Sequence, residues 1–577
     1  MERRWKPETT TWYRKIRRAV SILLLLGVWL LSGCGNHSAE NTEMDSTAAL
    51  QYTEQIKKEW EEAESTPFGK YPELVTYTLG KVAPDDNSNM PAGDTYEDNN
   101  YTRYLKELLN VQNKDVLEGI DHAQYTRLLQ MSISEEELPD IMLVTNQQIL
   151  DELVEQDLIA DLTEVFDNCT SDRVKEMYES YGEGKMQSVT YEGRIMAFPE
   201  TEVYTGPSLL WLRKDWIDSL GLQEPKTMEE AMEVVRKFVE ENPGANENGN
   251  VGLVFDPSLV GQSDQCFSLD PIFDSFHAYP GKWIQGENGK MICGSVTEET
   301  KMALKKLSEY YRNGILDRAF MVSNAKNLPE LLKDGRSGAF FGWWWAPNNP
   351  LAEIYDEEAE WKPYLFTTDS NRVMTSLSYG RDYCVVARKG FEHPEIIPKI
   401  MSALFDYARY DGKEEAKGVG EYLRMNVDPT ATPFVINLDY SDAIFRTTSN
   451  IQKVMDGEKN VGELTVLEQG YYKSCREYLD TKEPEAWQWA AYESRIAAVS
   501  RLAEADISYV NEGYSQEFDT LKSSVLSELS EKAFILIITG EKPVEYFDTY
   551  VTEWYETGGE ELTRQANEIA ENRQHGE

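Results

Sequence analysis

Short apolar strand signals alternate with helix signals through the first two thirds of this chain, and that order most limits the folds open to it. Leu74-Val75-Thr76-Tyr77-Thr78-Leu79 reads as a strand. Tyr101 to Leu109 carries apolar groups at helical spacing, and Tyr125 to Met131 opens a second helix. Ile141-Met142-Leu143-Val144 has the continuous apolar character of a buried strand, followed by a helix from Gln147 to Gln156 and by Leu158-Ile159-Ala160-Asp161-Leu162. A repeated strand–helix order predicts an α/β lobe on a largely parallel sheet. A second unit begins near Tyr204. It has a strand at Leu209–Leu212, a capping box at Thr227-Met228-Glu229-Glu230, an apolar stripe of Val234, Val235, Phe238 and Val239, and a strand at Ala339–Gly342. From His393 the chain reads as mainly helical to its end.

At 577 residues the chain exceeds what one hydrophobic core usually serves, so two lobes are expected. The second unit contains Phe340-Phe341-Gly342-Trp343-Trp344-Trp345-Ala346-Pro347. Neighbouring side chains on a strand point to opposite faces, so one core face cannot receive Trp343, Trp344 and Trp345 together. The three tryptophans follow a strand end, and open α/β sheets bind ligands beyond strand ends. They are the first candidates for ligand contact, the alternative being lobe-on-lobe packing.

The N-terminus carries Arg3, Arg4, Lys6, Arg14, Lys15, Arg17 and Arg18, followed by an apolar run from Ala19 to Leu31. The run is short for a membrane span and suited to a signal-peptide core. It ends in Leu31-Ser32-Gly33-Cys34, which resembles the bacterial lipobox, in which the cysteine is lipidated and becomes the first residue. Two acyl chains on Cys34 suffice for stable anchoring. Residues 35–66 are polar and acidic and read as a flexible tether, with Pro67 to Pro72 marking the start of ordered sequence.

The formal net charge of −44 argues against nucleic acid as a partner. Cys169, Cys266, Cys293, Cys384 and Cys475 form no CxxC and are expected as buried single thiols. His37, His122, His277, His393 and His575 form no HExxH or tight ligand cluster; GxSxG, Walker A and strand-linked GxGxxG motifs are absent. Among so many acids, carboxylate spacing carries no information about an acid/base pair. No catalytic residues and no cofactor are assigned, and Asn242 to Asn250 holds too few carboxylates for a strong calcium site.

Several stretches carry a family likeness: Asn100-Tyr101-Thr102-Arg103-Tyr104-Leu105, Leu138-Pro139-Asp140-Ile141, Leu212-Arg213-Lys214-Asp215-Trp216, Ala278-Tyr279-Pro280-Gly281, the tryptophan run, and Gly540-Glu541-Lys542-Pro543. In number and order they resemble the extracellular solute-binding proteins of ABC importers, family 1, of the large Gram-positive lipoprotein sugar-binding type. The resemblance implies a two-lobe periplasmic-binding-protein-like α/β fold of maltose-binding type. Each lobe would have a mainly parallel sheet flanked by helices, and the C-terminal part would be helical. The expected division is 1–33 signal peptide, 34–66 tether, 67–200 first lobe, 201–370 second lobe, 371–425 return to the first lobe, and 426–577 helical and mainly second lobe. It further implies a monomer outside the cytoplasmic membrane that hands a carbohydrate to permease subunits served by a separate ATPase. A surface glycoside hydrolase and a non-transport sensor or adhesin are the alternatives.

A sugar ring offers an apolar face to an aromatic side chain and a hydroxyl rim to polar groups. On that chemistry the ligand-binding candidates are Trp343, Trp344, Trp345, Tyr279, Trp283, Tyr204, Arg381, Asp382 and Asn146. Arg381 and Asp382 precede the strand Tyr383 to Ala387 and have a surface ion pair as their alternative, and Asn146 has a helix cap as its own.

Overall fold

A computed structural model describes residues 54–575, apart from 86–89, 202–205, 261–265, 287–288, 325–326, 368–371, 376–382, 412–413, 426, 428, 511 and 514–519. Cys34, Tyr204, Arg381 and Asp382 lie outside the described residues. The folded body is the unit Glu62–Glu577.

Two sheets organise that body. The first contains β1 (Val75–Val82), β2 (Val111–Gly119), β3 (Ile141–Val144) and the short β4 (Phe198–Pro199). The second is built from β5 (Leu209–Arg213), β6 (Ala339–Gly342) and β7 (Trp361–Tyr364), after which β8 (Cys384–Ala387) returns to the first. The first sheet runs β2-β1-β3-β8-β4, with β1 parallel to β2 and β3, and β8 antiparallel to β3 and β4. The second runs β6-β5-β7 and is antiparallel throughout.

The α/β class and two-lobe plan hold, but a mainly parallel sheet in each lobe does not. The cause lies in connectivity. A parallel neighbour arises when a helix carries the chain back to the same starting edge. Strand β5 enters the second lobe at Leu209, whereas β6 and β7 both run back toward that edge and end there, at Gly342 and Tyr364. Strand β8 enters the first sheet from the crossing and therefore opposes β3.

Local sequence explains the helices that flank the sheets. In Asn100–Leu109 the Asn99 side chain accepts from the amides of Tyr101 and Thr102, and the helix buries Tyr101, Tyr104, Leu105 and Leu109. Thr227 caps Met228–Glu241, which buries Ala231, Met232, Val234, Val235 and Phe238. Alternation along β5 feeds two cores. Leu210 and Leu212 join Phe534, Phe547 and Trp554 from the last helices, while Leu209 and Trp211 join Trp343, Trp344, Trp489 and Leu502. The C-terminal third thus covers both faces of the second sheet. Cys169, Cys266, Cys293, Cys384 and Cys475 are all buried free thiols.

The N-terminal edge of the body is held by a buried lysine. Lys399 has no exposed surface, and its Nζ donates to the carbonyl oxygens of Thr66 at 2.9 Å and Gly69 at 2.7 Å. One turn away Glu395, itself buried, accepts from the Tyr71 hydroxyl at 2.6 Å.

Candidate functional site: the edge shared by the two sheets

Strand ends define where the two lobes meet. In the first sheet Val144, Cys384 and Pro199 stand in one row, because Cys384 pairs with both of the others. In the second, Leu209 pairs with Gly342, and the next residue, Leu210, with Tyr364. Only residues 202–208 separate Thr201 from Leu209, and seven residues span at most about 25 Å. The two rows therefore face the same crossing.

Three passes of chain are bonded side by side there. The Glu200 amide donates to the Tyr383 carbonyl at 2.7 Å, and the Thr201 amide to the Asn437 carbonyl at 2.9 Å. The Asn437 amide donates back to Glu200 Oε1 at 2.9 Å, and the Asp439 amide to Thr201 Oγ1 at 2.8 Å. Asp439 accepts from Arg409 Nη1 and from the Tyr410 hydroxyl, both at 2.8 Å. These bonds tie the three passes into one strip at the crossing between the two sheets, the place expected of a hinge. Beside it lies a cavity of about 190 Å³ lined by polar groups that include Arg409, Asp439, Asn450 and Glu468.

On the first-lobe side, Asn146 stands just past β3. Its side-chain oxygen accepts from the Ile149 amide at 3.0 Å and so caps the helix Gln147–Glu155, leaving its amide nitrogen for other work. Beside it the Tyr383 hydroxyl meets His122 Nδ1 at 2.7 Å, and Thr126 meets Thr145 at 2.8 Å.

On the second-lobe side the tryptophans begin where β6 stops. Gly342 is required at that point, because a Cβ there would come within 3.0 Å of Cys266 Sγ and Ala346 Cβ, and its carbonyl takes the Trp211 indole N–H at 3.3 Å. Trp343 retains 8% exposure and Trp344 5%, both packed into the cluster with Phe340 and Trp489, whereas Trp345 is half-buried at its margin. The Trp343 indole nitrogen is buried with no partner among the described residues. The face of Trp344 is covered by the Arg495 guanidinium, 4.4 Å from the ring, and Tyr471 lies 4.2 Å from the same group. Sequence reasoning missed Arg495 and Tyr471, which lie more than a hundred residues from the tryptophans. Burial pushes the neighbouring Cys266 thiol up to about 12, which leaves it an inert apolar filler.

Tyr279 and Trp283 lie elsewhere. Trp283 starts the short strand Trp283–Gln285 and packs at 6.2 Å from Trp554 in the core on the other face of the second sheet. Tyr279 is equally buried, and Gly294 packs so closely on its carbonyl that a Cβ there would sit 2.0 Å from the oxygen. The structure does not bring these two rings to the tryptophan run.

The stretch 242–250 is poor in charged ligands for a cation. Glu247 is the one carboxylate in the stretch, and no group of three His, Cys, Asp or Glu side chains among the described residues is placed to hold a metal. Asparagine amide groups face backbone carbonyls instead, Asn242 to Asn246, Asn246 to Asp334 and Asn250 to Gly335.

No family model matches the chain. Among curated proteins it is 21% identical over 383 residues to the polygalacturonan/rhamnogalacturonan-binding protein YtcQ of Bacillus subtilis, covering 66% of this chain and 71% of the relative. It is 23% identical over 374 residues to the lipoprotein LipO of the same organism, covering 62% and 68%. A solved structure of the Streptococcus pneumoniae ABC-transporter substrate-binding protein FusA with kestose superposes with a TM-score of 0.56 at 13% identity, over 87% of this chain and all of that one. An HMO-binding solute-binding protein of Bifidobacterium longum infantis gives 0.54 at 15% identity, over 87% and 99%. The chain is related to the solute-binding proteins of ABC importers. Its relatives are binding proteins rather than enzymes, and its two-lobe α/β architecture is theirs. Among the described residues of this solute-binding protein relative, no helix is long and apolar enough to cross a membrane.

Proposed function

We propose that this protein captures a carbohydrate, an oligosaccharide, in the cleft between its two lobes and delivers it to an ABC permease served by a separate ATPase. It acts as a monomer without catalysis, held on the outer face of the cytoplasmic membrane by a lipid on Cys34. One observation carries the reading: the tryptophan run starts at the end of β6, on the edge that faces the hinge. Relatives named for polygalacturonan and for fructooligosaccharide binding support a sugar as the solute.

Physical chemistry sets the division of labour. Covering about 50 Å² of apolar sugar surface contributes roughly 1 kcal/mol, so several rings and a satisfied hydroxyl rim are needed. Trp345, half-buried at the cluster margin, serves as stacking platform, and Trp343 donates its unmatched indole N–H. In this reading Tyr204, Arg381, Asp382 and the Asn146 amide supply the rim. Tyr279 and Trp283 support the second lobe from within. Closure requires contacts from both lobes, since equal affinity for open and closed forms shifts nothing.

The test is a tryptophan-fluorescence titration against a panel of neutral and acidic oligosaccharides, with chromatography of each mixture. Saturable binding with the glycan recovered intact is the expected result. Released product, or no binding across the panel, refutes the reading. For the anchor, Cys34→Ala is expected to move the protein from the detergent to the aqueous phase in cloud-point partitioning.

A further inference from the structure

The second-lobe edge at the crossing has another face. Alternation along β5 sends Leu209 toward the tryptophans and Leu210 to the opposite side of the sheet. There Leu210 pairs with Phe341 on one side and Tyr364 on the other, so the three stand in one row, the last on that face before the edge. Just beyond the sheet, Ser208 precedes β5, and the Phe366 ring, two residues past β7, lies parallel to Tyr364 with centroids 6.4 Å apart. Between these side chains is a slot of about 40 Å³, closed on its other side by Met374 and by Met228 at the start of the helix Met228–Glu241. Its mouth is at the edge. The row is buried, whereas Ser208, Phe366 and Met374 are half-buried and Thr367, which also lines the slot, is exposed.

Size and lining restrict what can enter. A water needs about 10–15 Å³ of such space, so the slot takes about three non-hydrogen atoms. Water is a poor filler, because it needs about two to four polar partners and most of the wall is Leu210, Phe341, Met228 and Met374. A hydroxyl pushed against that wall would leave its own donor unmatched, whereas a methyl would not. Buried Asp274, which also borders the slot, disfavours an anionic group. The mouth is polar. Ser275 turns its hydroxyl to the Ile272 carbonyl at 2.6 Å, but the Ser208 hydroxyl has no partner among the described residues and is left to donate. A neutral group of three heavy atoms, with a methyl at one end and an acceptor oxygen at the other, meets all of these conditions.

We propose that this slot takes an acetyl group carried by the solute, its methyl against Leu210 and Phe341 and its carbonyl oxygen accepting from the Ser208 hydroxyl. The assignment rests on the carbohydrate-capture reading and adds a substituent to it. The slot and the tryptophan run lie on opposite faces of β5 at the same edge, so an oligosaccharide lying across that edge meets both. Acetyl esters and acetamides share this chemistry, and the experiment tells them apart.

The experiment uses the full chain in detergent and two neutral pairs: cellotriose with triacetylchitotriose, which carries acetamido groups in place of the 2-hydroxyls, and xylotriose with mono-O-acetylated xylotriose. Calorimetry gives the affinities, and saturation-transfer NMR reports which solute protons touch the protein. At least one acetylated trimer is expected to bind about ten-fold more tightly than its partner, the effect of burying one methyl and making one hydrogen bond. Its acetyl methyl is expected to carry the strongest transfer. Ser208→Leu closes the mouth and is expected to bring the affinity ratio to about one; Ser208→Ala and Met228→Trp are each expected to lower it. Melting temperatures of the variants separate a blocked slot from a lost fold, and the ratio in the unmodified protein stands without any variant. Equal binding within both pairs, an acetyl methyl with no more transfer than the ring protons, or a preference that survives in Ser208→Leu overturns the proposal. If only the unacetylated trimers bind, the slot assignment falls and carbohydrate capture stands. If none of the four binds, the slot assignment falls and the wider glycan panel decides capture.

Discussion

Lys399 offers a quantitative test of how the body is closed at its N-terminal edge. Its ammonium is fully buried, donates to two carbonyl oxygens, and lies 5.4 Å from the Tyr71 ring centre. Burial lowers its pKa from 10.5 to about 8, with Cys169, Glu395 and Glu62 offsetting part of the effect. In the unfolded chain the same lysine titrates at its ordinary value, so the folded state binds this proton less tightly. The difference corresponds to about 3 kcal/mol. Below pH 8 both states are protonated and the folded state bears the full cost of the buried charge. Between pH 8 and 10.5 the folded state releases the proton first, so the contribution of this residue to stability rises with pH. Lys399→Met removes the titration and leaves the carbonyls of Thr66 and Gly69 unmatched. Urea unfolding of both proteins at half-unit steps from pH 7 to pH 10 isolates the effect, because the other titrating groups cancel in the difference. The stability of the unmodified protein relative to the variant is expected to grow by about 2 kcal/mol between pH 8 and pH 10. A flat difference would refute the reasoning. A falling one would show that pairing outweighs desolvation at this site.

Three further outcomes follow from the geometry. Asp439→Asn removes the carboxylate that Arg409 and Tyr410 share at the hinge, both ion-pair partners having 11% side-chain exposure, and should cost about 3 kcal/mol in urea unfolding. Trp344→Ala opens a cavity in the second-lobe cluster and strips the support from Arg495, so a loss of about 3–5 kcal/mol is expected by the same method. Because asparagine amides face carbonyls in 242–250, adding calcium or a chelator is expected to leave the melting temperature within a degree. A calcium-dependent rise would overturn that account.

Much of the fold is legible because its signals are local. Apolar runs such as Ile141–Val144 and Ala339–Gly342 are buried at every position, and Thr227 sits at the helix start that its spacing to Glu230 marks. Strand direction is a different kind of information. Nothing within Leu209–Arg213 records that Ala339–Gly342, more than a hundred residues later, runs antiparallel beside it. An alternating strand–helix pattern predicts parallel neighbours only when the intervening chain makes a single crossover, and here it builds most of a lobe.

The site follows the same rule with a sharper consequence. Three adjacent tryptophans announce that one packing face cannot hold them all, and their position at the end of a strand is readable from Pro347 and Pro350. What each ring touches is not, because the covering groups come from Trp489, Arg495 and Tyr471, which sequence places far away. Aromatic residues by themselves are poor discriminators: Trp283 and Trp344 are both about 95% buried, yet one meets Trp554 in an apolar core and the other the Arg495 guanidinium. A tryptophan packed on apolar neighbours contributes through the area it removes from water, and any ring of similar shape would serve. A tryptophan packed on a guanidinium also fixes the plane of that charge. What covers each ring, more than the number of rings, therefore distinguishes the two faces of this lobe's sheet.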